Sequence, residues 1–531
     1  MKCKVIEGFD KKTIISDLKK RGKIAHKFIT IVEFLFSECI VDLMNELNNA
    51  FTSDRGNKPY DRLLILGIFL YGFSTGARSL TKITHLCQES TTLKIFTRDH
   101  ELCYTTLKRF LEDSDRLILK KVFLYTLVKL NDLDFLNFLH GFVDGTDAII
   151  HGSKYYTITI HELEALKLMK EWNLLHNQRE KSIMRVKNEL ATKYLKYEND
   201  EEMLKLIKII IKRLSIYNYK MAARIDEFEK ALNETEKDFI SITFPSATLM
   251  PTKKGNFDFA FNLQEVITDN DIIISGLLIK DPNDNIALDQ VIVELKENFE
   301  ILREMIEKYG HRRNYKEIEQ MLKKAIFVLD SGYFSDFNLE SAYEHDINAL
   351  IMSKVLARQI NKEYRINKGL KKPDPDVDEL ESIGRKQLLR VNNGYLCPIG
   401  EKLELTDVKE INSEFNREEG LSGPFKEKSF LHTSTACSTC ELKDKCKFTN
   451  GVVDRVSTQS YEMTNKLTNE RYLSIYKERF HSSESINGYL KGKESVLLLI
   501  GSNEHTINNE LQLINTLYNL TRTKNLKGTL Y

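Results

Sequence analysis

The sequence is poor in proline and tryptophan and has almost no net charge, and each shortage narrows what the chain can be. The 531 residues include eight prolines and one tryptophan, and 42% of the chain is hydrophobic. This composition, without low-complexity tracts, indicates a folded globular protein rather than a disordered one. Because 78 lysines and arginines balance 77 acidic residues, any binding to nucleic acid depends on local basic faces.

Long hydrophobic runs are missing as well. The longest apolar run, residues 63–73 (LLILGIFLYGF), is far shorter than the ~20 residues of a membrane helix and predicts a buried helix. The N-terminal residues MKCKVIEGFDKK lack the apolar segment of a signal peptide. We therefore expect no membrane contact and a cytoplasmic location, where eight cysteines indicate metal binding more readily than disulfides.

The length predicts about three to four structural units. Apolar residues at three- and four-residue spacing predict that the first 138 residues are helical. Around residues 63–83, a helix-turn-helix and a plain helical bundle are both open. The predicted units are an N-terminal helical region (1–138), a strand-bearing core in three parts (139–160, 240–354 and 471–531), a helical hairpin inserted at 161–239 and a cysteine-bearing insertion at 355–470.

The core shows a recognisable order of strands and helices. Three predicted strands are followed by helix, strand, helix and strand, and Asp269-Asn270-Asp271 supplies turn residues for a hairpin between the second and third strands. The predicted strands are residues 139–150, 257–268, 272–279, 325–330 and 349–353. A mixed sheet with crossover helices places the protein in the α/β class.

Two aspartates stand at the ends of apolar strands beside glycine. Asp144 lies in the motif VDGT and Asp330 in LDSGY, and carboxylates are the ligands that Mg²⁺ or Mn²⁺ prefers. If the two strand ends meet, the pair forms a metal site; the alternative is that each aspartate caps a turn. Asp147 is a rival for Asp144, but its odd spacing puts it on the opposite face of the strand.

A third carboxylate, Glu484, lies on a predicted helix over residues 476–491. At 100° per residue, Tyr476, Glu484 and Lys491 project from one polar side of this helix. That arrangement fits a metal ligand beside a phosphate contact, and it equally fits an ordinary amphipathic helix. Glu478 is a competing carboxylate.

Four of the cysteines, Cys397, Cys437, Cys440 and Cys446, fall in the weakly periodic region after residue 354. They predict either a tetrahedral Zn²⁺ site that stabilises this region or unpaired thiols. The remaining cysteines, Cys3, Cys39, Cys87 and Cys103, read as small core residues.

Basic residues that include Lys354, Arg358 and Arg365 cluster directly after the last core strand. They indicate either a surface that follows a phosphate backbone or a solvated helix face.

Taken in order, these motifs resemble those of the DDE-type transposases of bacterial insertion sequences, members of the RNase H-like superfamily. The resemblance covers most of the chain. It includes the helical segment KPYDRLLILGIFLYGFSTGARSLTKI, VDGT at Asp144, FNLQ at residues 261–264, LDSGYFS at Asp330, the cysteine motifs and the closing helix with Glu484. One spacing departs from the family's Tyr-x2-Arg-x3-Glu-x6-Lys pattern, because four residues separate Arg479 from Glu484.

The resemblance implies an RNase H-like catalytic core preceded by a DNA-binding domain. Asp144, Asp330 and Glu484 would bind two Mg²⁺ or Mn²⁺ ions for cleavage of transposon ends and joining of the 3′ hydroxyl to target DNA. Tyr476, Arg479 and Lys491 would contact the transposon end. The implied partners are double-stranded inverted repeats and target DNA, bound by a homodimer or larger synaptic oligomer at the nucleoid. The alternatives are an inactive DNA-binding derivative and a metal-dependent nuclease without strand transfer.

Overall fold

A computed structural model gives the fold of the chain. It describes residues 3–50, 58–136, 139–150, 152–177, 180–234, 238–252, 255–370, 379–411, 427–491 and 497–528. Within these ranges, the side chains of residues 23–27, 180–181, 480–487, 490–491 and 527–528 are not described.

The first part of the chain is helical. Its helices are α1 (Lys11–Lys19), α2 (Lys23–Leu35), α3 (Glu38–Asn49), α4 (Arg62–Ser74), α5 (Leu80–Glu89), α6 (Thr91–Thr97), α7 (Tyr104–Asp113) and α8 (Arg116–Asp132). The apolar run at residues 63–73 forms α4, which is buried on nearly all sides. Aspartate side chains accept backbone N–H bonds at the starts of α1, α4 and α8, so these helices begin with N-caps.

The middle of the chain alternates between strands and helices. Strand β1 (His140–Ile150) and β2 (Thr157–Thr159) lead into α9 (Ile160–Glu171), α10 (Glu180–Lys196), α11 (Glu201–Arg213), α12 (Tyr219–Ala222) and α13 (Ile225–Asn233). Then follow β3 (Phe239–Ser241), β4 (Thr248–Pro251), β5 (Phe257–Thr268), β6 (Ile273–Ile279), α14 (Leu288–Tyr309), α15 (Tyr315–Lys324), β7 (Ile326–Leu329), α16 (Asp336–Glu344) and β8 (Ala349–Ile351).

The last part begins with α17 (Lys354–Asn367) and a small sheet. Its strands are β9 (Leu389–Val391), β10 (Gly394–Leu396), β11 (Lys402–Glu410), β12 (Lys428–Thr433) and β13 (Val452–Val456). The chain continues through α18 (Thr458–Lys466), α19 (Glu470–Lys491), β14 (Leu497–Leu499) and α20 (Glu504–Gly528).

In the described residues, the central sheet contains seven strands. Along its main path the order is β6-β5-β1-β7-β8, with β5 antiparallel to both β1 and β6, and with β7 parallel to both β1 and β8. Strand β4 adds to β5, and β14 adds in parallel to the far end of β1. The parallel strands need long crossovers, which α14–α15 and α16 provide.

Helices cover both faces of this sheet. One apolar cluster joins the N-terminal helices to α14, α20 and the sheet. A separate cluster on the other face contains Phe142, Val328, Leu350 and Tyr476, together with residues of α17 and α18. The sheet is therefore held between buried layers, and its strand ends are fixed in position.

Two insertions interrupt the core. Helices α9–α13 form their own apolar cluster above the β2–β3 pair. The described part of the region predicted as a helical hairpin therefore contains five helices. The region after α17, which showed little periodicity, contains the antiparallel sheet β13-β12-β11-β10-β9. Its short strands are partly exposed, and their side-chain alternation is correspondingly weak.

The α/β class predicted from the sequence is confirmed, and its core strands and helices fall close to their predicted positions. The prediction that Cys103 lies in the core is wrong, because this residue is exposed at the start of α7; Cys39 and Cys87 are buried as expected. Within the described residues, no helix is both long and apolar enough to cross a membrane.

Candidate functional site

One edge of β1 has an unpaired stretch at its middle. Strand β5 pairs along the opposite edge, from residue 141 to 149. On the open edge, β7 pairs with residues 140–143 and β14 with residues 148–150. In the part of the chain that the structure describes, residues 144–147 therefore lack a strand partner on that edge. Asp144 lies at the start of this stretch, so the prediction that it ends a strand is wrong: β1 continues to Ile150. Asp330 does follow the end of β7 directly, as predicted.

The guanidinium of Arg479 brings the two aspartates together. Its Nη2 atom lies 2.9 Å from Asp144 Oδ1 and 3.5 Å from Asp330 Oδ2. Arg479 is on α19, which packs across β1 and β7, and only 8% of the residue is exposed. Burial alone would lower the pKa of Arg479, but the charges of Asp144 and Asp330 outweigh burial and raise it.

A further aspartate that sequence reasoning missed, Asp284, lies beside this pair. It begins a 3-10 turn between β6 and α14, and its Oδ1 accepts 2.8 Å bonds from Asn262 Nδ2 and Gln264 Nε2. Burial raises the pKa of Asp284, the two amide bonds oppose that rise, and the charges of Asp330 and Asp144 add to it.

Glu265 is a second carboxyl group that the sequence did not reveal. It lies directly opposite Asp144 in the β1–β5 register, so the two side chains share one face of the sheet. Glu265 is 3% exposed, and its Oε1 has no hydrogen-bond partner among the described residues. Burial, followed by the charge of Asp144, raises the pKa of Glu265 to about 8. The signal for it was a Gln264-Glu265 pair inside an otherwise apolar strand.

The residues at this site fit a divalent cation. The donor set is made of carboxylate oxygens, which hard cations prefer, and one buried carboxyl oxygen lacks a partner. A cationic group, the Arg479 guanidinium, already bridges Asp144 and Asp330. Within the described residues, however, Asp144, Asp284 and Asp330 are not among the groups whose ligand atoms all lie within 4.8 Å of one another.

Of the other residues predicted to act on the closing helix, the side chain of Tyr476 is described, and those of Glu484 and Lys491 are not. Tyr476 is 6% exposed and packs in the apolar cluster next to Phe142, and burial raises its pKa to about 12. Glu484 and Lys491 lie on the backbone of α19, but their side chains lie outside the described residues. The role of Glu484 as the third carboxylate therefore stays a prediction, as do the DNA contacts predicted for this helix.

The two rival carboxylates point elsewhere. Asp147 pairs with Asn262 in the β1–β5 register, on the face opposite to Asp144. Glu478 Oε2 lies 3.1 Å from His140 Nδ1, which is also 2.9 Å from Asp269 Oδ1. His140, Asp269 and Glu478 are a group whose ligand atoms all lie within 4.8 Å of one another. This group ties α19 to the start of β1 and to the β5–β6 turn.

The predicted basic surface lies on α17, with Lys354, Arg358 and Arg365 exposed. This helix begins three residues after β8, at the carboxyl edge of the parallel strands where Asp330 also lies. The start of α17 therefore shares this edge of the sheet with Asp330.

The four predicted zinc ligands meet around one pocket. Cys397, Cys437, Cys440 and Cys446 all line it, together with the apolar side chain of Phe448. Burial raises the pKa of the Cys437 thiol, and the other three cysteines raise it further, which places them near it. Among the described residues, these sulfur atoms are not gathered within 4.8 Å of one another.

Among comparisons with known proteins, one protein-family model matches the N-terminal helices. Residues 15–113 match the family model described as "Transposase domain (DUF772)", which spans α1 to α7. This match supports a transposase-family protein.

One curated protein and no solved structure match the chain. The E3 ubiquitin-protein ligase BRE1 of Candida glabrata is 25% identical over 358 residues, which are 66% of this chain and 47% of that protein. The chain thus spans about half the length of this curated relative. No solved structure matches.

The raised pKa of Glu265 makes stability depend on pH in the absence of metal. The folded state keeps the proton up to about pH 8, whereas the unfolded chain releases it near the ordinary value of 4.5. Stability contributed by the neutral form is therefore lost as pH rises from about 4.5 to 8. In EDTA, we expect Glu265→Gln to avoid a loss on the order of 5 kcal/mol that the parent suffers by pH 8.5.

Urea unfolding followed by circular dichroism measures this difference. Tryptophan fluorescence would not serve, because the single tryptophan, Trp172, follows α9 and reports on the helical insertion. Glu307→Gln, on an exposed position of α14, is the matched control and should track the parent at every pH. Equal pH slopes for the parent and Glu265→Gln would contradict the assignment of a neutral, buried Glu265.

Proposed function

We propose that the protein is a DNA transposase of the DDE type, with an RNase H-like core that cleaves transposon ends and joins the 3′ hydroxyl to target DNA. The observation that carries the proposal is the approach of Asp144 and Asp330 from adjacent parallel strands around one cationic group. The transposase-domain match at residues 15–113 supports it independently. So does the core order, in which β1, β5 and β6 are followed by α14 and α15, then β7, α16 and β8.

Each carboxylate is held by an element that limits its movement. Asp144 belongs to a strand paired on both edges up to residue 143, and Asp330 follows a strand enclosed between β1 and β8. With Glu484 on α19 they would hold two Mg²⁺ or Mn²⁺ ions. When bound, such ions activate the attacking water or 3′ hydroxyl and stabilise the leaving oxygen in an in-line phosphoryl displacement.

Arg479 has a separate role in this proposal. Its guanidinium balances the charge of Asp144 and Asp330, which otherwise repel each other in a partly buried site. Divalent cations that bind the same oxygens remove the need for this contact. Arg479 is then available for phosphate at the transposon end, where a guanidinium binds well.

DNA would approach along the carboxyl edge of the sheet. The exposed cations Lys354, Arg358 and Arg365 on α17 supply phosphate contacts at this edge, together with Lys491, and the N-terminal helices would bind the inverted repeats. Joining two transposon ends to one target requires two active sites, so we infer a homodimer or a larger synaptic assembly that works in the cytoplasm on nucleoid DNA.

The cysteine-bearing sheet fits a structural Zn²⁺ site. Cys397 follows β10, Cys437 and Cys440 follow β12, and Cys446 bridges to residue 383, so the four thiols join otherwise separate loops. The Phe448 backbone N–H also donates to Cys446 Sγ at 3.4 Å. A tetrahedral ion that draws the thiolates together would stabilise this small sheet.

Two alternatives share the same residues. A metal-dependent nuclease would cut without joining, and an inactive DNA-binding derivative would bind without cutting. The pairing of Asp144 and Asp330 favours an active site over a purely DNA-binding role.

The first prediction concerns the carboxylates. Asp144→Asn, Asp330→Asn and Glu484→Gln should each reduce Mg²⁺-dependent nicking of DNA that carries the gene's flanking inverted repeats by at least about 100-fold. DNA binding, measured by mobility shift in EDTA, should be unchanged. Asp226→Asn is the control, because it makes the same change at an exposed position of α13, outside the sheet.

The products separate the candidates. Joined products with added target DNA identify a transposase, and cutting without joining identifies a nuclease. Parental nicking by any one of the three variants would refute the role given to that residue. Binding without cutting by the parent protein would favour the inactive derivative.

The second prediction concerns zinc. Purified protein should contain about one zinc per chain, and Cys437→Ser or Cys440→Ser should lose it. Cys103→Ser, at an exposed thiol outside the cluster, should keep it. Inductively coupled plasma mass spectrometry measures the ratio, and parent protein without zinc contradicts the proposal.

A further inference from the structure

Asp284 approaches the aspartate pair from the other face of the sheet. Phe142 and Asp144 share one face of β1, whereas Val143 and Gly145 share the opposite face, because side chains alternate along a strand. A Cβ at Gly145 would lie 2.7 Å from Asp284 Oδ1. The carboxylate of Asp284 therefore fills the space that a side chain next to Asp144 would need.

The glycine beside Asp330 makes room for the same side chain. A Cβ at Gly332 would lie 3.3 Å from Asp284 Oδ2 and 2.9 Å from Asp330 Oδ1. Both glycines of the motifs VDGT and LDSGY thus border one carboxylate. Glycine is needed at both positions if the side chain of Asp284 must reach β1 beside Asp144 and the loop beside Asp330.

A rigid polar frame orients Asp284. Asn262 and Gln264 both donate to its Oδ1, and Gln264 Oε1 in turn accepts a bond from the hydroxyl of fully buried Tyr333. Asn338 Nδ2 donates to the backbone oxygens of Asp284 and Tyr333, at 2.8 and 2.9 Å. With Oδ1 occupied by the amides, Oδ2 is the oxygen left beside Gly332 and Asp330.

Asp284 takes part in no ion pair within the described part of the chain, whereas Arg479 bridges Asp144 and Asp330. Independently, the buried carboxyl of Glu265 has an oxygen without a partner on the face that carries Asp144. Buried carboxylates without compensation are costly, so a bound cation would stabilise this arrangement.

We propose that Asp284 is an additional carboxylate ligand of the metal site. Asn262 and Gln264 hold it so that its Oδ2 atom would face a cation bound beside Asp330. This inference rests on the proposed function, because it assigns Asp284 to the same metal centre as Asp144 and Asp330. It adds a ligand from the β6–α14 turn to the strand-borne carboxylates.

Mn²⁺ binding tests the assignment without relying on catalysis. Asp284→Asn keeps the shape of the side chain and an oxygen for the two amides, but it removes the charge. We expect Mn²⁺ affinity, measured by isothermal titration calorimetry on the full chain, to fall about 10-fold or more. Asp281→Asn, three residues earlier in the same loop, is the matched control and should bind like the parent.

Comparison with Asp144→Asn and Asp330→Asn separates the role of Asp284 from the existence of the metal site itself. Parental affinity in Asp284→Asn, with weakened binding in both of the others, overturns the role of Asp284 and leaves the proposed site standing. Parental affinity in all three variants overturns the proposed metal site as well.

A measurement on the unmodified protein covers the case in which Asp284→Asn does not fold. Fe²⁺ with ascorbate and peroxide generates radicals that cut the backbone next to bound iron, and mass spectrometry locates the cuts. We expect cuts at residues 144–145, 330–332 and 283–285, all suppressed by excess Mg²⁺. Cuts at the first two segments without the third overturn the assignment of Asp284.

Discussion

The repulsion between Asp144 and Asp330 is the constraint on which the site depends. Two carboxylates brought together from adjacent strands are unfavourable unless a cation lies between them. Arg479 supplies that cation here, with one nitrogen in reach of both side chains. The same contact holds α19 against β1 and β7, so the charge balance of the site and the packing of the closing helix depend on each other.

The site lies where, in the described structure, no strand pairs with one edge of β1. Strands β7 and β14 occupy the two ends of that edge, and residues 144–147 lie between them. Side chains from both faces of the sheet reach this stretch: Glu265 lies on the face of Asp144, and Asp284 lies on the other. Helices on both sides pack against the strands that position the two aspartates.

Sequence patterns predicted the core strands and singled out Asp144 and Asp330, because apolar runs that stop at Asp-Gly or Asp-Ser-Gly are local signals. They did not predict that β1 continues past Asp144 to Ile150. They did not predict Asp284, since its surroundings, Asp281-Pro282-Asn283, are those of an ordinary turn. Only the register of β1 against β5, and the return of the chain into α14, bring Asp284 to the glycines. Two signals were present: glycines directly after both aspartate motifs, and Asn262 and Gln264 on one face of an apolar strand.

Diffraction from crystals soaked in Mn²⁺ tests the central claim most directly, because anomalous scattering locates the ions without reference to activity. The account predicts Mn²⁺ within about 2.2 Å of carboxylate oxygens of Asp144 and Asp330, with the Arg479 guanidinium displaced from both. Mn²⁺ bound instead at His140, Asp269 and Glu478, with Arg479 still bridging the two aspartates, would contradict it.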